Sequence, residues 1–216
     1  MNMELARRQM VEQQVRAWDV DDPAVLDVMK RIAREAFLPV QFRDVAYADG
    51  EILLGHGQYL MPPVVEGRLL QALDLQSGES VLEIGTGSGY LTACLAELAG
   101  RITSIDIFSD FTDSAASALE TAGIENVTLQ TMDAVQELPD SQFDAIVVTG
   151  SIPHPEPRFL DCLKPDGRMF VIVGRAPIMV AQLVRKGDNA AWSAENLFET
   201  SVRQLVNWPE ENKFIF

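Results

Sequence analysis

The chain has 216 residues, 47% of them hydrophobic, which suits one ordinary domain with a sizeable core and is too apolar for disorder. Its 17 basic and 32 acidic residues give a formal charge of −15, which repels phosphate backbones and anionic lipid and argues against nucleic acid or membranes as partners. The N-terminal MNMELARRQM has no secretory apolar stretch, and Cys94, Cys162, His56 and His154 have neither disulfide nor zinc-ligand spacing, so the expectation is a metal-free protein in a reduced, cytoplasmic setting.

Residues from about 3 to 37 read as helical. Met10, Val11, Gln14, Val15 and Trp18 share one face at helical spacing, and Val25, Leu26, Met29 and Ile32 repeat the pattern. Between the two runs, DVDDP supplies an N-cap aspartate and a proline at the helix start. Residues from about 38 to 62 carry Pro39, Gly50, Gly55, Gly57 and Pro62 with little periodicity, the mark of a long functional loop. From about residue 64 the pattern alternates: VVEGRLLQAL helix, SVLEIG strand, YLTACLAELA helix, RITSIDI strand. FTDSAASALETAG then reads as a helix ended by Gly123, NVTLQTMD and FDAIVVTG as strands, EPRFLDCLKPDG as a helix stopped by Pro165 and Gly167, and RMFVIVG as a strand. Apolar strands alternating with helices predict a parallel sheet covered on both faces. MVAQLVRK, LFETSVRQLVNW and KFIF read as closing antiparallel strands.

The segment VLEIGTGSGY ends a strand, turns on Gly85, Gly87 and Gly89, and opens a helix near Tyr90. Such a loop at the carboxyl end of the first strand is where open α/β sheets bind ligands. The spacing is G-x-G-x-G, not the dinucleotide G-x-G-x-x-G, and no GK[ST] follows. Glu83, two residues before the first glycine, disfavours a phosphate-bearing cofactor and suits one with an ammonium group and a sulfonium. Asp106 follows Gly87 by about 20 residues, the spacing at which a carboxylate accepts ribose hydroxyls. Asp133, in QTMDA, is placed to accept from an exocyclic amine of adenine, and Thr149 and Gly150 end the next strand near the pocket floor. Together these carboxylates point to S-adenosyl-L-methionine. His56 reads as a solvated loop residue.

RRQMVEQQV, VLDVMKRIAREAFLP, VAYAD, GHGQYLMPPVV, VLEIGTGSGYLTACLA, FDAIVVTG and LKPDGRMFVIVG together resemble the protein-L-isoaspartate O-methyltransferase family, over about residues 7 to 175. The resemblance implies a doubly wound, mostly parallel α/β sheet of the Rossmann-like methyltransferase type, with an N-terminal helical extension and antiparallel closing strands. On this reading residues 1–62 form the N-terminal helices and substrate loop, 63–177 the cofactor core and 178–216 the closing strands. It implies methyl transfer from S-adenosyl-L-methionine to the α-carboxylate of an isoaspartyl residue in damaged protein or peptide. The cofactor pocket expected is Gln58, Leu60, Glu83, Gly85, Thr86, Gly87, Ser88, Asp106, Ile107, Asp133, Ala134 and Thr149. The family's loop reads GQTIS with a later proline; here Tyr59 stands for the threonine and Met61 for the serine, the two positions expected to meet the acceptor. VRQLVNWPEENKFIF replaces the family's RFVPL-like segment. Three alternatives stay open: a methyltransferase with another small-molecule or carboxylate acceptor, a non-catalytic module that binds the same cofactor, and a nucleotide-linked oxidoreductase.

Overall fold

Two short apolar stripes dictate the N-terminal layer. The structure, a computed structural model, describes residues 2–187 and 191–209. Helix α1 (Met3–Gln9) runs on through a wider π-type turn (Met10–Val15) that buries Met10, Val11 and Val15. Trp18, expected on that face, is instead exposed where the chain reverses at left-handed Asp19. Helix α2 (Pro23–Arg31) starts where the sequence predicts, with the Asp22 carboxylate accepting from the backbone N–H of Ala24 and Val25.

The expected loop of residues 38–62 contains more structure than its lack of periodicity suggests. It holds a 3₁₀ turn (Val40–Val45) and a hairpin of β1 (Ile52–Gly55) with β2 (Gln58–Leu60). Gly55, His56 and Gly57 all take positive φ at its tip, and two glycines make that turn accessible.

The core follows as α3 (Pro63–Leu73), β3 (Ser80–Ile84), α4 (Tyr90–Leu98), β4 (Arg101–Asp106), α5 (Ser109–Thr121), β5 (Val127–Thr131), β6 (Phe143–Ile152), α6 (Pro157–Asp161), β7 (Leu163–Arg175), β8 (Ile178–Lys186) and β9 (Trp192–Thr200). Seven strands form one sheet in the order β5-β4-β3-β6-β7-β8-β9, parallel from β5 to β7 and antiparallel from β7 to β9. Chain order reverses between β3 and β6, so a crevice opens above their carboxyl ends. Alternate residues of β3 serve opposite layers: Val81 packs with α3 and α4 residues such as Leu69 and Leu95, whereas Leu82 and Ile84 pack with Ile146 and Phe159. Leu69, Leu70 and Leu73 of α3 are almost wholly buried, each worth about 1.5–3 kcal/mol.

Four expectations need correction. The helix expected over EPRFLDCLKPDG is confined to α6, because the chain from Leu163 extends to pair with β6. Strand β6 continues past Thr149 and Gly150 to Ile152, and Asp133 lies two residues beyond the end of β5. LFETSVRQLVNW is strand only to Thr200; Ser201–Pro209 then crosses the sheet's carboxyl edge, where Ser151 N–H donates to Arg203 O at 2.8 Å and Leu205 N–H to Ser151 O at 2.9 Å. The expected KFIF strand lies outside the described residues. Among the described residues no helix is long and apolar enough to cross a membrane.

Candidate functional site

The crevice at the strand reversal is an open cleft. Its floor is the glycine loop between β3 and α4. Gly85 has φ +100, and a Cβ built there would lie 2.1 Å from Thr149 Oγ1, so only glycine fits. The Thr149 hydroxyl instead sits against the loop, within 3.0 Å of the Ile84 and Gly85 carbonyl oxygens. This fixes the loop from the β6 side.

Asp106, at the end of β4, fixes it from the other side. Its Oδ2 accepts from the Gly87 N–H at 2.9 Å and its Oδ1 from the Phe108 N–H at 3.0 Å. Burial raises its carboxyl above the ordinary value, and those two N–H donors oppose the shift. Each oxygen keeps a lone pair for a further donor. Asp133 accepts from Val135 N–H, from Gln136 and, at 2.9 Å, from Asn207 of the crossing C-terminal segment. Ile107, Phe108, Phe111, Met132 and Ala134 supply flat and apolar walls around these two carboxylates.

The β1–β2 hairpin forms the facing wall. Gln58, Tyr59, Leu60 and Met61 all line the cleft, and Met61 is buried. The Arg203 guanidinium carbon lies 4.7 Å from the centre of the Tyr59 ring, a cation–π contact between hairpin and C-terminal segment. Arg203 is the single basic side chain lining the cleft among the described residues. The loop histidine His56 is half-exposed, stacks on Phe108 at 4.1 Å between ring centres and lies 2.9 Å from Asp110, so the hairpin tip is tied to α5.

Every expected site residue except one lines this cleft: Gln58, Tyr59, Leu60, Met61, Gly85, Thr86, Gly87, Ser88, Asp106, Ile107, Asp133, Ala134 and Thr149. The exception is Glu83. Its side chain points to the α4 face of the sheet and is set behind the lining, where Thr92 Oγ1 and Ser104 Oγ donate to its Oε2 at 2.5 and 2.6 Å. Ser104 Oγ is also 2.6 Å from Thr86 Oγ1, so Glu83 reaches the loop through a hydroxyl relay rather than by contact. Burial pushes its carboxyl up to about 8.

The sequence reading missed Glu66 and the C-terminal wall of Arg203, Gln204, Leu205 and Val206. Glu66 carried a signal: Glu66, Leu69, Leu70 and Leu73 fall on one stripe of α3, so an acidic residue sits in an apolar face. It is fully buried and ion-paired to Arg34, itself fully buried. Arg34 also donates to Met61 O at 2.6 Å and lies over the Tyr90 ring at 4.7 Å. Arg203 had no such signal, being placed by a crossing with no periodicity.

The arrangement suits a nucleoside with a cationic extension. Acidic acceptors meet hydroxyls and amines, apolar walls meet a base, and among the described residues Arg203 is the one cation in the lining, set against the Tyr59 ring.

The protein family described as Protein-L-isoaspartate(D-aspartate) O-methyltransferase (PCMT) matches residues 5–207. The chain is 43% identical to Protein-L-isoaspartate O-methyltransferase 1 of Rhodopseudomonas palustris (strain HaA2), over 78% of this chain and 69% of that protein. It is 34% identical to Protein-L-isoaspartate O-methyltransferase of Syntrophotalea carbinolica, over 98% and 99% of the two chains. Its fold matches a beta-aspartate methyltransferase (PCMT) chain from Plasmodium falciparum, crystallised in complex with S-adenosyl-L-homocysteine, with a TM-score of 0.79 at 19% identity over 92% of this chain and 97% of that one. By sequence, this chain belongs to the protein-L-isoaspartate O-methyltransferase family.

Proposed function

We propose that this protein transfers the methyl group of S-adenosyl-L-methionine to the α-carboxylate of isoaspartyl residues in damaged proteins or peptides. One observation carries the reading: in a chain of this family, Asp106, Asp133, the glycine loop and the Gln58–Met61 hairpin converge on a single cleft at the strand reversal.

Asp106 receives the ribose hydroxyls and Asp133 the adenine amine, with Ile107, Phe108 and Ala134 around the base. Bound there, S-adenosyl-L-methionine supplies an electrophilic methyl group on a sulfonium. The protein's own contribution is alignment and exclusion of water. A carboxylate acceptor with a pKa near 4 is already ionised at neutral pH, so no general base is needed. Holding it in line is worth effective molarities of about 10⁵–10⁸ M. Arg203 offers the acceptor a cation, Tyr59 offers a hydroxyl, and Met61 closes the wall with an apolar surface where a hydroxyl would admit water.

The test is transfer of labelled methyl to an isoaspartyl peptide and to its aspartyl twin. The expected result is a base-labile product on the isoaspartyl peptide alone, with Arg203→Met raising KM about tenfold or more. Binding of the cofactor without transfer to either peptide overturns the assignment in favour of another acceptor or a non-catalytic module. Stabilisation by NAD alone overturns the cofactor as well.

A further inference from the structure

The Arg34–Glu66 pair is the one fully buried ion pair among the described residues, and its Glu66 member lines the cleft. Buried ion pairs seldom add stability over an apolar replacement, so their retention beside a binding cleft points to a ligand. Glu66 is engaged through one oxygen only. Its Oε2 accepts from Arg34 Nη1, while its Oε1 is buried and has no hydrogen-bond partner among the described residues. A carboxylate oxygen cannot donate, so what completes it must bring a proton or a positive charge.

The position along the cleft selects that group. Asp106 ends β4 and Asp133 follows β5, both on one side of β3. Glu66 belongs to α3, and Arg34 ties its stretch of wall to the Met61 carbonyl and to the Tyr90 ring at the start of α4. A donor with its adenine and ribose at the two aspartates extends its amino-acid end toward this stretch. The geometry points to Glu66 as the anchor of the donor's α-ammonium group, with Arg34 aiming the carboxylate; this rests on the S-adenosyl-L-methionine reading of the cleft. Arg34 is the nearby cation, and Tyr90, Cys94 and Glu83 are the other titratable groups around Glu66. Burial pushes the Glu66 carboxyl up to about 7 against the pull of Arg34, so a seated ammonium restores the ionised form. Anchoring here makes the site discriminate for the amino-acid end, not merely for the nucleoside.

Two ligands separate the ends. S-adenosyl-L-homocysteine carries the α-amino acid; 5′-methylthioadenosine has the same nucleoside and thioether without it. Calorimetric titration of the full chain is expected to show Glu66→Gln binding S-adenosyl-L-homocysteine about 10- to 100-fold more weakly than the parent, with the affinity for 5′-methylthioadenosine unchanged within about twofold. The double variant Arg34→Met/Glu66→Met, which leaves no lone buried charge, is expected to show the same selective loss. Unchanged S-adenosyl-L-homocysteine affinity in both variants, or equal loss of both ligands in the double variant, overturns the assignment. A parent that binds neither compound overturns the donor reading itself, before Glu66 is altered.

Discussion

Glu83 is a buried carboxyl with hydroxyl donors on Oε2 and no hydrogen-bond partner on Oε1 among the described residues. Its pKa rises from an ordinary 4.5 to about 8, chiefly through burial, so the folded protein keeps at neutral pH a proton that the unfolded chain releases. The sign follows from linkage. Between about pH 4.5 and 8 the folded state binds more protons, so this residue's contribution to stability is full on the acid side and is lost as pH rises. Glu66 acts in the same direction up to about 7. Glu83→Gln keeps an oxygen for Thr92 and Ser104 and removes the titration. Its denaturant stability should lie within about 1 kcal/mol of the parent at pH 5 and gain on it by at least about 1 kcal/mol by pH 8. Parallel profiles would show that Glu83 is ionised throughout. The same residue marks what sequence can say about a site. Spacing locates strand ends, so Asp106, Asp133 and the glycine loop were legible; it does not say to which face an in-strand side chain points, and Glu83 points away from the cleft.

Elements are held in register by a few polar clasps, and Arg168 at the start of β7's long pairing is the most connected. Its Nη1 and Nη2 donate to the two Glu79 carboxylate oxygens, each at 2.8 Å, Nη2 also to Asp74 O at 2.9 Å, and Nε to Leu73 O. One buried guanidinium thus caps the end of α3 and ties the α3–β3 connection to β7. Arg168→Met is expected to cost about 2–4 kcal/mol, read as a lower urea midpoint at unchanged slope, and Glu79→Gln less, because the carbonyl bonds remain. A cost below about 1 kcal/mol for Arg168→Met would mean the clasp only decorates packing. At this scale the central strands and helices were legible because burial on both faces writes continuous apolar runs. The C-terminal half of EPRFLDCLKPDG was not. Pro165 and Gly167 read as helix stops, but they lie where the β6–β7 register shifts from Phe143↔Leu163 to Ala145↔Arg168, an irregularity that accommodates a residue with no N–H. The hairpin at Ile52–Leu60 was hidden because its strands are shorter than any periodicity can report.

The whole molecule sets a field that its cleft alone does not. A formal charge of −15 surrounds a cleft whose lining includes Glu51, Glu66, Asp106 and Asp133 against, among the described residues, Arg203 alone. Such a field works against an acceptor carboxylate on approach, and Arg203, held over Tyr59 by the C-terminal crossing, offsets it only locally. The remainder of a peptide acceptor meets an acidic surface, so basic flanking residues should speed encounter without altering the transfer itself. Two isoaspartyl peptides differing only in lysine or glutamate on either side of the damaged residue test this. At about 20 mM salt the lysine peptide should show kcat/KM about tenfold higher, with similar kcat. At about 0.5 M salt, where the Debye length falls to roughly 4 Å, the two should converge. Equal kcat/KM at low salt would place the peptide's path away from the acidic surface. A difference that persists at high salt would instead require side-chain contacts specific to lysine, and the long-range field would then not be what selects the acceptor.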